Sequence, residues 1–368
     1  MKRTLIVATT VFHVIVAVQM KRTILKSHEV DIICGDETPN MKDVAYRLEK
    51  LDVFNQVYFV NMNSYNKQLD NYVGYSARDY VMKKNYDIKK MFTVKRKYDL
   101  YLYPFFHHFH INLYSYMKKY INPHIRGYLY EEGVAIYSAI GRIREKKLSE
   151  YEEDFWFRNF KYGNALKEIS GIITFNPDLF QWGKEYNKIK IPKINRYDKE
   201  LRNIYNKIFN YNSKEKKEYE KKVIFFEEAK NQDGLKNNDV SIVDKVSRIV
   251  GRNNILVKLH PRSEKNRFKQ LGCMTNNNSI VPWEVVYMNN RFEDTIFMST
   301  ASSSIAHPML IFGEYEKGIF LFKLVHSILP DELQMQEKFL ENVIVKKYEK
   351  YLVIPDTMEE LEGFIGHS

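Results

Sequence analysis

The chain has 368 residues, of which 44% are hydrophobic and 28% charged, with a formal charge of +11. That length exceeds one ordinary core and implies two α/β domains, and the balance of apolar and charged residues excludes a disordered chain. The positive charge, interleaved with many Tyr residues, suits an anionic partner but does not choose among a nucleotide-sugar, an acidic glycan, a phospholipid surface and a nucleic acid.

In chain order, Lys2 and Arg3 precede an apolar stretch over 5–18 that has the outline of a signal peptide. Thr9, Thr10 and His13 interrupt it, and no small-x-small cleavage site follows before Lys21 and Arg22. A βα unit is therefore expected: a strand over 5–8, a loop over 9–11 and a helix over 12–26. Strands at 30–34, 57–60, 97–103, 126–130 and 172–175, with helical segments between them, imply an open, mostly parallel sheet. The last of these ends in the turn Asn176-Pro177-Asp178. A stretch dense in Lys, Asn and Tyr over 188–222, holding a helix at 199–209, reads as the interdomain connection. A second strand series at 223–226, 255–259, 295–298 and 318–321 follows, closed by a helix over 358–366. The expected division is a first Rossmann-like domain over 1–195, a linker over 196–222 and a nucleotide-binding domain over 223–368. The lysine run at 214–222 reads as a solvated helix face.

Cys34 and Cys273 are far apart in sequence, so a disulfide is not expected and a reducing compartment fits. No stretch reaches about 18 unbroken apolar residues, the length of a spanning helix. The expectation is a cytoplasmic protein with peripheral contact at the inner face of the plasma membrane.

The chemistry is sought at strand ends, because open α/β sheets bind ligands beyond the carboxyl ends of their strands. Lys258-Leu259-His260-Pro261-Arg262 stands at such an end. There His260 can protonate or hydrogen-bond a leaving phosphate, Pro261 fixes the turn, and Lys258 and Arg262 supply cations. The plainer reading is a satisfied surface histidine. Ser302, Ser303 and Ser304 precede a helix-like run from Ile305, where hydroxyls and backbone N–H groups can seat an anion, although a helix cap needs only one such residue. Between them, Glu284 in Pro282-Trp283-Glu284 is suited to ribose hydroxyls.

Glu131-Glu132-Gly133 pairs two carboxylates at a strand end, suited to taking a proton from an acceptor hydroxyl. Asp233-Gly234 is a second acidic candidate, or an ordinary turn. No D-x-D occurs, and no metal is expected; His107, His108 and His110 lie among Phe105, Phe106 and Phe109 and read as packing.

In this order, the acid-acid-glycine triplet, the His-Pro pair and the serine pair resemble the shared motifs of bacterial sialyltransferases with a GT-B fold. The closest likeness is to glycosyltransferase family 52, the lipooligosaccharide and capsule enzymes. Lys258, the stretch from Pro282 to Glu284, and the first loop Thr10-Val11-Phe12-His13 extend the resemblance. It implies a GT-B-like α/β fold of two Rossmann-like domains facing a cleft. The implied reaction is inverting transfer, without cofactor or metal, from CMP-sialic acid to a sugar hydroxyl of a bacterial surface glycan, with a galactose-terminated oligosaccharide as acceptor. Glu131 then resembles the base, with Asp233 as its rival, and His260 the acid. Lys258 and Glu284 resemble cytosine and ribose contacts, and Ser302 and Ser303 phosphate contacts. Two glutamates stand where several relatives have aspartates. A homodimer is compatible with the resemblance, and no nucleic acid partner is expected. Alternatives are a CDP-glycerol-type glycerophosphotransferase, a polysialyltransferase, and, in another class, a basic nucleic-acid-binding protein.

Overall fold

Short apolar runs form the strands of two parallel sheets, one in each of the two units, Met1–Pro192 and Lys193–Ser368, of a computed structural model. The structure describes residues 1–65, 88–105, 108–134, 136–138, 169–180, 183, 185–228, 238–263, 265–325 and 331–366.

The first unit runs β1 (Arg3–Ala8), α1 (Val11–Arg22), β2 (Glu29–Gly35), α2 (Met41–Lys50), β3 (Gln56–Val60), α3 (Ile88–Met91), β4 (Leu100–Tyr103), α4 (His108–Tyr120), β5 (Arg126–Tyr130), β6 (Ile169–Thr174) and β7 (Asn187–Lys190). Its strands pair in the order β3-β2-β1-β4-β5-β6-β7, all parallel. The central strands are near-continuous apolar runs because a parallel sheet is covered on both faces; Leu5, Ile6, Val7 and Ala8 are fully buried. Helix α1 stops at Arg22, four residues short of the expected end, where the Thr23 hydroxyl and amide both turn back onto the Gln19 carbonyl. Strand β7 runs into the region read as connection. It is an edge strand with polar, partly exposed residues, so it carries no hydrophobic signal.

The second unit runs α5 (Lys199–Phe209), β8 (Val223–Phe226), α6 (Asp239–Val250), β9 (Ile255–Lys258), β10 (Met274–Thr275), α7 (Trp283–Asn289), β11 (Ile296–Ser299), β12 (Gly318–Phe320), α8 (Asp331–Phe339), β13 (Leu352–Val353) and α9 (Met358–Gly366). Its sheet order is β10-β9-β8-β11-β12-β13. Counted from β8, that is the 3-2-1-4-5-6 order of the dinucleotide-binding fold, and the first six strands of the other sheet follow it too. The order of strand addition reverses between β1 and β4 and again between β8 and β11, which places a ligand crevice beyond the carboxyl edge of each sheet. Phe225, Val257, Met298 and Ile319 from the second sheet pack with Ile242, Val246 and Leu361 of its helices.

The expected linker at 196–222 belongs to this second unit. The chain divides at Pro192, and α5 docks on α7, where the amides of Asn206 and Asn289 exchange hydrogen bonds of 3.0 and 2.7 Å. Arg196 stacks 4.3 Å from the Tyr287 ring and pairs with Glu314 at 2.7 Å. The lysine run forms a mostly exposed 3₁₀ turn, Ser213–Tyr219, rather than a regular helix face. Among the described residues, no helix is long and apolar enough to cross a membrane, and none of the His, Cys, Asp and Glu side chains cluster to hold a metal ion. Cys34 and Cys273 are free thiols; burial pushes the Cys34 thiol up to about 12.

Candidate functional site

In the second unit, register aligns Lys258 of β9 with Phe226 of β8, and Phe226 with Ser299 of β11. Parallel strands lie ~4.8 Å apart, so the His-Pro and serine segments leave the same edge ~10 Å from each other, on the scale of a nucleoside monophosphate. The switch point falls between them.

The His-Pro turn is shaped by Glu227, which leaves β8 fully buried at its side chain. Its Oε2 accepts the His260 amide at 3.1 Å and the Ser263 hydroxyl at 2.6 Å, while Oε1 accepts Arg267 Nε at 3.2 Å. Arg267 is fixed in turn by a two-pronged contact with Asp239 at 2.8 and 2.6 Å. The amide of Arg262 donates to His260 Nδ1 at 3.1 Å. An N–H aimed at Nδ1 requires a lone pair there, so the neutral ring carries its proton on Nε2 as a donor. Arg262 itself is exposed and Pro261 partly so.

Lys258 is buried, and its ammonium donates to the Val281 carbonyl at 3.3 Å. Burial pulls its pKa down to about 8, against the opposing pull of Glu284 and Glu215. Glu284 is buried in the first turn of α7, where its carboxylate pairs with Nδ1 of buried His307. The serine segment departs from expectation. It is a three-residue 3₁₀ turn, Ser303–Ile305, followed by a π turn, Pro308–Phe312. Such short pieces sum few peptide dipoles, so the expected helix-end field is weak. The amide of Ala301 donates to Glu228, that of Ser302 to Ser299 Oγ at 3.3 Å, and that of Ser304 to Ser302 Oγ at 3.3 Å. What the segment offers a ligand is its three partly exposed hydroxyls.

In the first unit, the loop after β1 and the start of α1 form a capping box. Thr10 Oγ1 accepts the His13 amide at 3.3 Å, and His13 Nδ1 accepts the amides of Thr9 and Thr10 at 3.3 and 3.2 Å. His13 is buried, and burial, with His110 nearby, lowers its pKa to about 3. It is therefore neutral with its proton on Nε2, its ring 6.1 Å from Phe105 and 5.8 Å from Tyr130.

At the end of β5, Glu131 is buried with both carboxylate oxygens engaged. Oε1 accepts the Gly133 amide at 3.0 Å, and Oε2 accepts the Tyr137 hydroxyl at 2.6 Å and the Phe175 amide at 3.1 Å. These bonds tie the ends of β5 and β6 together and hold Gly133 in its left-handed turn, φ 88°. Glu132 is partly exposed, and burial, Glu131 and Glu37 push its pKa up to about 8.

Asp233, Gly234, Phe106 and His107 lie outside the described residues. His110 is buried, with Nδ1 2.8 Å from the Phe105 carbonyl, and packs against Tyr103 and Phe105. Glu227 and His307 were not among the residues singled out in the sequence. Their signals were present, as a second acidic pair at the end of a strand, Glu227-Glu228, and a second His-Pro pair, His307-Pro308.

No protein-family model matches the chain, and no curated protein matches it. Solved structures share its fold. Arabidopsis thaliana UGT89C1 complexed with UDP-L-rhamnose aligns over 100% of this chain and 89% of its own, with a TM-score of 0.53 at 8% identity. The glycosyltransferase VinC in complex with DTDP aligns over 99% of this chain and 91% of its own, with a TM-score of 0.50 at 10% identity. The likeness is one of fold: the chain is built from the two parallel-sheet, Rossmann-like α/β domains of the GT-B architecture.

Proposed function

We propose that the chain is an inverting sialyltransferase, moving sialic acid from CMP-sialic acid to a hydroxyl of a bacterial surface glycan, with galactose as the acceptor sugar. The observation that carries this reading is the His260 ring, whose Nδ1 accepts the Arg262 amide so that the neutral ring's proton is on Nε2, on the edge that also holds buried Lys258 and the serine hydroxyls. A single departing phosphate needs one cation and a few donors, and Lys258, His260, Ser302, Ser303 and Ser304 are of that kind. The motif order from Glu131 to Ser303 supports a cytidine monophosphate donor over the uridine and thymidine diphosphates bound by the two structural neighbours.

In this reading the acceptor oxygen attacks the anomeric carbon while the bond from that carbon to the phosphate oxygen breaks, its electron pair remaining on the phosphate. The His260 Nε2–H stabilises or protonates that oxygen, and the serine hydroxyls hold the others. Glu284, held by His307, contacts the ribose. Pro261 and Arg262 frame the turn. The acceptor proton passes to a carboxylate, and Glu132 suits the task better than Glu131. Both Glu131 oxygens are committed to the protein, whereas Glu132 is partly exposed with a pKa near the working range. Neutral His13 contributes an N–H donor on the acceptor side.

The test is a thermal shift with cytidine, uridine and adenosine monophosphates, followed by turnover of CMP-sialic acid and of CDP-glycerol with a galactose-terminated acceptor. A rise selective for the cytidine ligand, with sialic acid transferred, supports the reading. Absence of a cytidine-selective shift, or turnover of CDP-glycerol alone, overturns it.

A further inference from the structure

The amino edge of the second sheet, opposite the edge bearing Lys258 and His260, carries a surface with a different chemistry. Tyr315 and Lys317 precede β12, and Tyr348, Lys350 and Tyr351 precede β13. The two segments are bound where the Gly318 amide donates to the Tyr351 carbonyl at 2.8 Å, with Gly318 aligned to Leu352. Tyr315 is 58% exposed and Tyr351 37%, and their rings stack 4.9 Å apart, with Tyr348 6.3 Å from Tyr315. Ordinary surface loops place such rings singly; three clustered on one surface are a patch.

Charge decides what the patch fits. Lys317, Lys346, Lys347 and Lys350 are exposed around the rings, with Lys347 5.9 Å above the Tyr348 ring. Of the nearby acids, Glu314 is drawn to Arg196 and Tyr287, and Glu316 to Tyr287, leaving Glu349 as the exposed acid in the 346–351 turn. Aromatic rings with a polar tip, collared by long cationic side chains, match the level of lipid headgroups. There the phenol ring enters the acyl boundary, its hydroxyl stays hydrated, and the lysine stems lie along the surface with their ammonium groups on phosphates.

We propose that this Tyr315–Tyr348–Tyr351 cluster with its lysine collar is a docking surface for an anionic phospholipid membrane, seating the second unit on its amino edge. The lysine run at 214–222 lacks this exposed aromatic cluster: Tyr219 is buried against Trp283.

The proposal does not depend on the identity of the donor. The full chain is sedimented with vesicles of phosphatidylcholine and with vesicles of phosphatidylcholine containing phosphatidylglycerol, at low and high salt. The expected result is binding that needs the anionic lipid and weakens with salt. Each lysine at the surface is worth roughly fivefold in partitioning, so Lys346→Glu with Lys350→Glu lowers binding at least ~25-fold. Tyr315→Ser with Tyr351→Ser lowers binding at high salt, where the charge term is screened. Lys216→Glu with Lys217→Glu leaves the patch intact and serves as control. All substituted side chains are exposed, and an unchanged melting temperature confirms that the variants fold. Equal binding to both vesicle types, no binding to either, or loss of binding in the control with retention in the patch variants overturns the proposal.

Discussion

Replacing Glu132 with Gln tests the general-base assignment through two independent readouts. The carboxyl is pushed from the ordinary 4.5 to about 8. Between these values the folded state holds a proton that the unfolded chain has released, so this carboxyl's contribution to stability is greatest below about pH 4.5, falls as pH rises through that window, and levels off above about 8. The full shift sets a ceiling of ~5 kcal/mol on this loss. Water at the partly exposed carboxyl reduces the expected figure to ~2 kcal/mol. The urea-unfolding free energy of the parent therefore declines relative to Glu132→Gln across that range, because the amide has no proton to lose. The second readout is transfer. A base must be ionised, so kcat/KM of the parent rises about tenfold per pH unit below 8, while Glu132→Gln loses ~10²- to 10⁴-fold at the pH optimum. Parallel stability curves for parent and variant would show that Glu132 has an ordinary acidity. A variant with full turnover would remove it from the mechanism and move the base to Asp233.

Lys258 supplies the opposite limb. Its ammonium is lost above about pH 8, so cytidine monophosphate affinity falls above that value, and Lys258→Met removes both the affinity and its pH dependence in titration calorimetry. With Glu132 ionising over the same range, the kcat/KM profile is a narrow bell centred near pH 8. Glu227→Gln takes a charge from Ser263, the His260 amide and Arg267, and lowers unfolding free energy in urea by ~2–3 kcal/mol. It also lowers kcat/KM, because the His-Pro turn loses its anchor, and a stability change below ~0.5 kcal/mol would contradict this network. Gly318→Ala puts a methyl group against Ile305 Cγ2 and 2.7 Å from Leu352 Cδ2, costing ~1–3 kcal/mol in thermal or urea unfolding and displacing the serine segment from β12.

The sheets were largely legible because burial on both faces writes a strand as an unbroken apolar run. The strand at 126–130 and the helices at 199–209 and 358–366 coincide with β5, α5 and α9. What escaped detection lies where that signal fades. Strands β10 and β13 are two-residue pairings, and β7 pairs through its backbone with partly exposed, polar side chains. Such strands are specified by the neighbour they extend, which a one-dimensional pattern does not contain. Residues 196–222 read as a linker for a related reason. Polar composition marks solvent exposure, but residues 193–222 are attached through a few long-range anchors, such as Arg196 on Tyr287 and Asn206 on Asn289.

The same distinction governs the site. Strand ends and residue types pointed to His260, Lys258 and the serines, because their chemistry is local. The division of labour within each acidic pair is not local. Glu131 and Glu132 are adjacent and chemically identical, yet the Phe175 amide and the Tyr137 hydroxyl take one oxygen of the first, the Gly133 amide takes the other, and the second carboxyl is left to titrate. Glu227 and Glu228 repeat the pattern, one clamping the His-Pro turn and the other the serine segment. An acidic doublet at a parallel strand's carboxyl end thus sends successive side chains to opposite faces. Which member is structural and which meets a ligand is decided by the neighbouring strand's amides and hydroxyls.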